Sequence, residues 1–411
     1  MPAFVFPGQG SQQPGMGRAW REHPSWDVVE DASTVAGRDI GHLLLDAGAQ
    51  ELTETRNAQL ATFVMGLVVL DAVERLGIEP TACAGHSLGE YTALVAAGAV
   101  GFEDAVKLVS ERGEAMQEAA DDNPGVMLAL SGADDETARI ACRRADGDVW
   151  LANSNAPTEC VVAGRPEEAE RAASIARELG VTRVRPLAVS GAFHTPLMAA
   201  AQPRLRKALE VTTFYPLAVP VVANVDALPH DQPEEWASLL SAQLRSPVRW
   251  RQSVICLADL MRTGEWDGDQ LFCELGPGGP ISALVRATVP QAATLTIAEP
   301  DDLDKLVTRL TGESPEQPVA AADGHQGERL YVSERLVISP CAGIFEPPPE
   351  VTPHALPDAA GAGSPVGIGE LLGSVSGTEV RSPFAGELMG LLAHPGERVQ
   401  TGQPIAWLRS Y

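Results

Sequence analysis

Short apolar runs alternate with amphipathic stretches over residues 1 to about 311, and this alternation is typical of an α/β fold. The apolar stretch 58–80 predicts a buried helix that ends at Gly77 and Pro80. The run TACAGHS (81–87) predicts a short strand, and helical patterns follow it at 88–100 and 102–120. We therefore expect an α/β body in which strands and helices alternate.

A different order of patterns occupies residues from about 124 to 189. It predicts a strand, a helix, two strands, a helix and a last strand. A βαββαβ order is that of a ferredoxin-like unit, so we expect such a subdomain to be inserted in the larger body.

The pattern changes again towards the carboxyl end. Residues 312–328 are small, polar and acidic with two prolines, and predict a linker between the domain 1–311 and a second domain, 329–411. The second domain has short β-type runs separated by Gly and Pro turns, which predict an all-β unit. A Pro-rich insertion at 347–365 predicts a mobile loop within it.

The charge of the chain limits its partners. Its 411 residues carry 30 Lys and Arg against 55 Asp and Glu, a formal net charge of −25. Phosphate neutralisation needs a basic face, so we expect no nucleic-acid binding. The sequence contains no run of 18 apolar residues and no basic leader, so we also expect no membrane contact and a cytoplasmic protein.

The six cysteines are scattered without a CxxC pair, which predicts buried thiols and neither a disulfide framework nor a metal site. The chain also lacks a P-loop and an HExxH motif. The glycine-rich start GQGSQQPGMG has Gln13 where a dinucleotide fingerprint needs glycine. A glycine-rich turn with a glutamine suits hydrogen-bond donors that face an oxyanion instead.

GHSLG (85–89) is a G-x-S-x-G sequence between a predicted strand and a predicted helix. Its glycines permit the sharp turn that exposes a nucleophilic Ser87, although an ordinary glycine-rich turn would have the same composition. Such a serine needs a base. His194, after a Gly-led turn, is the best-placed histidine, and His86 is the weaker alternative.

Arg112 lies on the apolar stripe of the helix 102–120, because Leu108, Val109 and Met116 are three or four residues away. A buried guanidinium keeps its proton and needs a carboxylate partner. That partner is either an acid of the core or the carboxylate of a substrate.

Several longer motifs resemble the malonyl-CoA:acyl-carrier-protein transacylase family, which includes the acyltransferase domains of polyketide synthases. The motifs span residues 3 to about 300 in family order: FVFPGQGSQ, GHSLGEYTALVAAG, ERGEAMQEA, NSNAPTECVVAG, GAFHTPLM, QLRSPVRW and ELGPGG. The resemblance implies an α/β-hydrolase-like body with an inserted ferredoxin-like subdomain.

The resemblance also assigns roles to single residues. It implies that Ser87 is the acylated nucleophile with His194 as its base, and that Gln9 and the Leu88 amide form the oxyanion hole. Arg112 would bind the malonyl carboxylate, and the backbone carbonyl of Gln243 would orient the histidine. Asn153 and Asn155 match an NxN turn near the site, and Leu88 with Phe193 resembles the malonyl-selective pattern.

Residues 329–411 resemble the biotinyl/lipoyl carrier domains, which are flattened β-barrels. Those domains attach their cofactor to a lysine on an exposed hairpin, and here the corresponding hairpin is shortened to SVSGTEV (374–380). The last lysine in the chain is Lys305. We therefore expect a degenerate domain without biotin or lipoate, retained for docking or for self-association.

The resemblance implies a malonyltransferase that acts in trans, in polyketide or fatty-acid biosynthesis, by ping-pong kinetics. Its partners would be a coenzyme A thioester and a phosphopantetheinylated acyl carrier protein, without a metal or other cofactor. An acidic carrier would dock on local arginines, either Arg183 with Arg185 or Arg245 with Arg249 and Arg251. The alternatives are an acyl hydrolase that clears stalled carriers and a subunit of a malonate-decarboxylase-like complex.

Overall fold

The computed structural model divides into two compact units, Met1–Ala322 and Asp323–Tyr411. The residues that it describes are 2–263, 270–312, 334–340, 343–348, 364–367, 369–382, 386–393, 395–399 and 403–410. The predicted linker 312–328 lies outside the described residues, apart from Gly312. That glycine ends the last helix of the first unit in a left-handed conformation, with φ 76°.

The first unit contains ten strands and thirteen α-helices among the residues that are described. The strands are β1 Ala3–Phe6, β2 Cys83–Gly85, β3 Val126–Ser131, β4 Val149–Ala156, β5 Glu159–Gly164, β6 Arg183–Pro186, β7 Val221–Val222, β8 Pro229–His230, β9 Leu271–Leu275 and β10 Ala293–Ile297. The helices are α1 Asp27–Ala36, α2 Ile40–Leu45, α3 Ala49–Thr53, α4 Thr55–Glu74, α5 Gly89–Ala96, α6 Phe102–Asp122, α7 Asp135–Ala145, α8 Pro166–Glu178, α9 Gln202–Val211, α10 Pro233–Gln243, α11 Trp250–Thr263, α12 Pro280–Thr288 and α13 Asp302–Thr311.

A six-stranded sheet in the order β10-β9-β1-β2-β7-β8 forms the centre of the first unit. Its pairs are parallel except β7–β8. All four residues of β1 are buried, as expected of a parallel sheet covered on both faces. The carboxyl ends of β1 and β2 meet at one edge, which brings the turns after Phe6 and after Gly85 together.

Helix α4 is the buried helix that the apolar stretch 58–80 predicts. Within the described part of the chain it is the one helix long and apolar enough to cross a membrane, but 94% of its most apolar window is buried inside the fold. A core helix passes the same test of length and composition, so the finding is weak evidence for a membrane span.

The inserted subdomain has the element order predicted for residues 124–189. Strands β3 to β6 and helices α7 and α8 alternate as βαββαβ, and the antiparallel sheet has the order β4-β5-β3-β6. A parallel bridge between Asn153 on β4 and Val248 joins this subdomain to the segment that precedes α11. The bridge fixes the subdomain next to the residues after Gln243.

The second unit is all β within its described residues, as the sequence predicts. Its strands are β11 Glu334–Ile338, β12 Gly343–Glu346, β13 Ser364–Val366, β14 Leu371–Val375, β15 Thr378–Arg381, β16 Gly386–Leu391, β17 Arg398–Val399 and β18 Pro404–Ser410. They form two four-stranded sheets, β11-β18-β16-β13 and β15-β14-β12-β17. Most of the predicted loop 347–365 lies outside the described residues, but its last two residues belong to β13.

Candidate active site

Ser87 lies in the sharp turn between β2 and α5. Its backbone is left-handed, with φ 52°, a conformation that costs a non-glycine residue about 1–2 kcal/mol. The glycines on either side allow close packing: a Cβ on Gly85 would lie 1.8 Å from the carbonyl carbon of Gly89, and one on Gly89 would lie 2.2 Å from the carbonyl oxygen of Phe6. The strand–turn–helix geometry is that of a nucleophile elbow.

His194 lies within hydrogen-bond distance of this serine, with Nε2 2.7 Å from Ser87 Oγ. Its Nδ1 is 3.0 Å from the backbone carbonyl oxygen of Gln243. A carbonyl oxygen only accepts, so Nδ1 carries the proton and Nε2 is left to accept the serine proton. Burial, and then the charge of Arg112, lower the pKa of His194 to about 3, which keeps the imidazole neutral near pH 7.

His86, the alternative base, has other contacts. Its Nε2 lies 3.0 Å from Oδ1 of Asn155, and its ring packs against Trp250 with the centroids 5.6 Å apart. The structure therefore pairs Ser87 with His194 and joins His86 to the inserted subdomain.

Two hydrogen-bond donors in the turns at the elbow have no partner among the residues that the structure describes. Gln9 follows β1 in the adjacent turn, and its Nε2 is buried without a hydrogen bond to any described residue. The Leu88 amide precedes the first turn of α5, and no described residue accepts a hydrogen bond from it. A buried donor without an acceptor is costly, so each of these N–H groups is free to donate a hydrogen bond to a ligand.

Arg112 is fully buried beside the serine. Its Nη1 donates to Oε1 of Gln59 at 2.7 Å, and its Nη2 donates to Ser87 Oγ at 3.2 Å and to Oε1 of Gln243 at 2.9 Å. The guanidinium lies over the ring of Tyr91, 5.1 Å from the centroid. It forms no ion pair with any acid in the described ranges, and its Nε has no partner. The cation is thus held by neutral groups and retains a free donor for an anion.

Gln243 contacts all three of these groups. Besides its carbonyl bond to His194, its side-chain Oε1 accepts from Arg112, and its Nε2 donates to the carbonyl oxygen of Ser87 at 2.8 Å. The same Nε2 also donates to Oε2 of Glu90. The main chain and the side chain of one residue therefore connect the base, the nucleophile and the buried cation.

Glu90 and Asn224 complete the site, and sequence reasoning missed both. Asn224 Oδ1 accepts from the Ser87 amide at 2.7 Å, and its Nδ2 donates to the carbonyl oxygen of Gly85 at 2.7 Å. The Asn224 amide in turn donates to Oε1 of Glu90 at 2.6 Å. The sequence contained a signal for Glu90, because it is a charged residue near the start of a helix that is otherwise uncharged. The sequence near Asn224 contained no such signal.

The predicted NxN turn is a strand. Asn153 and Asn155 lie on β4, which continues to Ala156 because Ser154 and Ala156 pair with Cys160 and Glu159 of β5. Asn155 reaches the site region through His86, whereas the buried Oδ1 of Asn153 has no partner among the described residues. Phe193 is buried next to the base, and the structure alone assigns it no role in selectivity.

The described residues contain no group of three or more His, Cys, Asp or Glu side chains that could hold a metal ion. The five described cysteines are free thiols, four of them buried. Neither arginine cluster forms an ion pair with a described acid. The pairing of Ser87 with a neutral, oriented His194 supports nucleophilic acyl chemistry.

Comparisons with known proteins agree with this chemistry. The family described as acyl transferase domain matches residues 3–265 of the chain. A malonyl CoA-acyl carrier protein transacylase of Bacillus subtilis is 36% identical over 317 residues, which are 76% of this chain and 98% of that protein.

Solved structures of similar proteins match the same part of the chain. An acyl carrier protein S-malonyltransferase from Vibrio cholerae matches with a TM-score of 0.69 and 35% identity, over 74% of this chain and 99% of that one. A malonyl-transacylase solved in complex with a type II polyketide synthase acyl-carrier protein matches with a TM-score of 0.70 and 34% identity, over 76% and 99%. The family match ends at residue 265, before the second unit begins.

Proposed function

The chain belongs to the acyl transferase domain family, within the malonyl-CoA–acyl carrier protein transacylases, and on this premise we propose that it moves a malonyl group from malonyl-CoA to the phosphopantetheine thiol of an acyl carrier protein. The observation that carries the proposal is Arg112, a buried cation 3.2 Å from Ser87 Oγ with no carboxylate partner in the described chain. A dicarboxylic acyl group supplies that carboxylate, and a plain acyl chain does not.

In the first half-reaction, Ser87 Oγ attacks the thioester carbonyl carbon while its proton passes to His194 Nε2. The carbonyl oxygen becomes an oxyanion that accepts hydrogen bonds from Gln9 Nε2 and the Leu88 amide. The carbon–sulfur bond then breaks, and His194 returns the proton to the departing thiolate of coenzyme A. The malonyl ester of Ser87 remains, with its carboxylate at Arg112.

In the second half-reaction, His194 accepts the proton of the carrier's phosphopantetheine thiol, and the thiolate attacks the ester carbonyl. The ester carbon–oxygen bond breaks and Ser87 regains its proton from His194. Because coenzyme A leaves the malonyl ester of Ser87 before the carrier reacts, the kinetics are ping-pong. No step requires a metal or a cofactor, and we place this reaction in the cytoplasm, in polyketide or fatty-acid biosynthesis.

Leu88 and Phe193 set the preference for malonyl over methylmalonyl in this proposal. A buried Phe193 next to the base leaves little room for an α-methyl branch. One methyl group is worth only about 1–3 kcal/mol, so methylmalonyl-CoA is a poorer substrate and not an excluded one.

Intact-protein mass spectrometry tests the proposal. The protein is incubated with acetyl-, malonyl- or methylmalonyl-CoA, and then with a phosphopantetheinylated carrier protein. We expect a malonyl adduct that is absent from Ser87→Ala and that moves to the carrier. An acetyl or longer acyl adduct that decays in buffer without reaching the carrier would identify a hydrolase instead.

We also propose that Asp323–Tyr411 has the flattened-barrel fold of the biotinyl/lipoyl domains without their cofactor. Two four-stranded sheets around one apolar core, which includes Phe345, Val375 and Leu408, support this proposal. The hairpin that would carry the lysine is closed by Ser376 and Gly377, both with positive φ, as in a two-residue type I′ turn. The unit would then serve docking or self-association.

A further inference from the structure

Glu90 is a buried acid beside the site that the mechanism above does not use. It is fully buried on α5, three residues after the nucleophile. One carboxylate oxygen accepts from the Asn224 amide and the other accepts from Gln243 Nε2. Each partner has a second contact with the reacting groups, so Glu90 lies at the junction of two short chains of hydrogen bonds.

The first chain reaches the nucleophile. The backbone amide of Asn224 donates to Glu90. The side chain of Asn224 accepts a hydrogen bond from the Ser87 amide and donates one to the Gly85 carbonyl oxygen. These two bonds flank the left-handed residue Ser87, whose strained conformation persists only where its surroundings impose it.

The second chain reaches the base and the cation. Gln243 Nε2 can face Glu90 and Ser87 O only while its Oε1 faces Arg112, because the two ends of an amide are different groups. The carboxylate of Glu90 therefore sets the orientation of this amide, and the residue that carries it also holds His194 by its main chain.

We propose that Glu90 is a positioning residue for acyl transfer, which holds Ser87 through Asn224 and holds His194 and Arg112 through Gln243. The network requires the ionised form, since both carboxylate oxygens face N–H donors and a protonated acid would direct its hydrogen at one of them. The other ionisable groups around Glu90 are Arg112 from α6, Tyr91 beside it on α5 and Asp226 from the loop after β7.

This requirement has a measurable pH signature. Burial raises the pKa of Glu90 to about 7, against the opposing effect of Arg112, whereas His194 stays neutral well below that pH. Activity that rises as pH passes about 7 therefore reports Glu90 and not the base.

The test is the rate at which a fluorophosphonate labels Ser87, followed between about pH 5.5 and 8.5. In this reaction the serine oxygen bonds to phosphorus, fluoride leaves and His194 takes the serine proton. This proposal rests on the proposed function only in naming malonyl transfer as the natural reaction. The probe carries no malonyl group, so its reaction with Ser87 tests the role of Glu90 separately. Failure of malonyl transfer would thus leave this measurement intact.

We expect the unsubstituted protein to show the rise near pH 7, and Glu90→Gln to label about 100-fold more slowly without it. The matched control is Glu274→Gln: Glu274 is equally buried, but its carboxylate accepts the amides of Ile281 and Ser282 at the start of α12. This variant should keep the pH profile and label within about threefold of the unsubstituted rate.

Labelling of Glu90→Gln within about threefold, or slow labelling that keeps the rise near pH 7, would overturn the proposal. If Glu90→Gln does not fold, Asn224→Ala tests the first chain alone, with labelling about 10-fold slower expected and an unchanged rate contradicting it.

Discussion

At the level of one side chain, Arg112 is the residue that selects acyl groups in the proposed reaction. Its three hydrogen-bond partners are neutral oxygens, and the charge of Glu90 acts on it only across Gln243, so the direct ion pair is left for an anion that enters. This situation differs from a structural ion pair, the alternative that the sequence left open, because no described acid lies within ion-pair distance of it.

We predict that Arg112→Gln lowers the rate of Ser87 acylation by malonyl-CoA about 10- to 100-fold, the loss expected for one charge-assisted hydrogen bond. Acylation by acetyl-CoA should not fall, which makes the ratio of the two rates the measured quantity. Arg204→Gln, which changes a surface arginine paired with Glu111 and Glu118, is the control. Equal losses for both donors would contradict a role in carboxylate binding.

The neutral state of His194 has a cost in stability that depends on pH. An unfolded histidine titrates at about 6.5, and His194 in the fold titrates at about 3, so between these values the unfolded state binds more protons. The free energy of unfolding therefore falls as pH falls from 6.5 towards 3. Glu90 contributes with the opposite sign between 4.5 and about 7, because its pKa is raised.

His194→Gln removes the first contribution and keeps the second. We predict that its unfolding free energy, measured by denaturant titration between about pH 4 and 7, declines less steeply towards acid than that of the unsubstituted protein. His42→Gln, a change at an exposed histidine, is the matched control. Parallel curves for His194→Gln and the unsubstituted protein would show that His194 is not held neutral.

At the scale of elements, the elbow depends on contacts that admit no side chain. A Cβ on Gly89 would lie 2.2 Å from a backbone oxygen of β1. Because α5 packs directly on β1, neither element can move away to relieve this clash. We predict that Gly89→Ala lowers the free energy of unfolding by about 3 kcal/mol or more.

The control for this change is Gly101→Ala. Gly101 precedes α6 with φ −67°, and a Cβ there would meet nothing within 4 Å. We expect this variant to lose at most about 1 kcal/mol, because Gly101 is the N-cap of α6, where alanine is less favoured than glycine but meets no steric clash. Thermal denaturation of the two variants side by side decides the prediction, and equal midpoints would refute it.

Elements that are formed by one continuous stretch of the sequence could be predicted from its local pattern. The strand–GHSLG–helix unit, the apolar helix α4 and the βαββαβ subdomain each have a local pattern, and the structure contains all three. The bonds from Asn224 to the elbow could not be predicted, because they join residues 137 and 139 positions apart from a loop after a two-residue strand.

The NxN segment shows a second limit of sequence reasoning. The resemblance implies a turn at Asn153 and Asn155, but pairing with β5 extends β4 to Ala156 with two irregularities in the register. Tertiary pairing thus decides where the strand ends, and the asparagine side chains are placed by the strand and not by a turn.

At the scale of the whole molecule, the charge of −25 works against an acidic partner, because like net charges slow diffusional encounter. Arg183, Arg185, Arg245, Arg249 and Arg251 carry positive charge without a described ion-pair partner. Of these, Arg185 is nine residues before the base His194, and Arg245 is two residues after Gln243, whose carbonyl oxygen holds that base.

We predict that a chain ending at Gly312 still forms the malonyl ester of Ser87, since every residue of the described site lies in the first unit. If the second unit serves docking or self-association, this shorter chain has a weaker carrier affinity, a slower transfer rate or a different oligomeric state. Titration with carrier protein and light scattering measure these quantities. Equality with the full chain in all three would exclude both roles.

The second unit pairs its first and last strands, since β11 lies antiparallel to β18 with Glu334 opposite Arg409. The two sheets have equivalent orders, in which β11, β18, β16 and β13 correspond to β15, β14, β12 and β17. Each strand thus corresponds to the strand four places further along the unit, if β11 is counted as following β18. The ends of the unit therefore occupy the place that the Ser376–Gly377 turn occupies in the other half. A circular permutation that joins the ends and opens the chain at that turn would preserve every strand pair of both sheets.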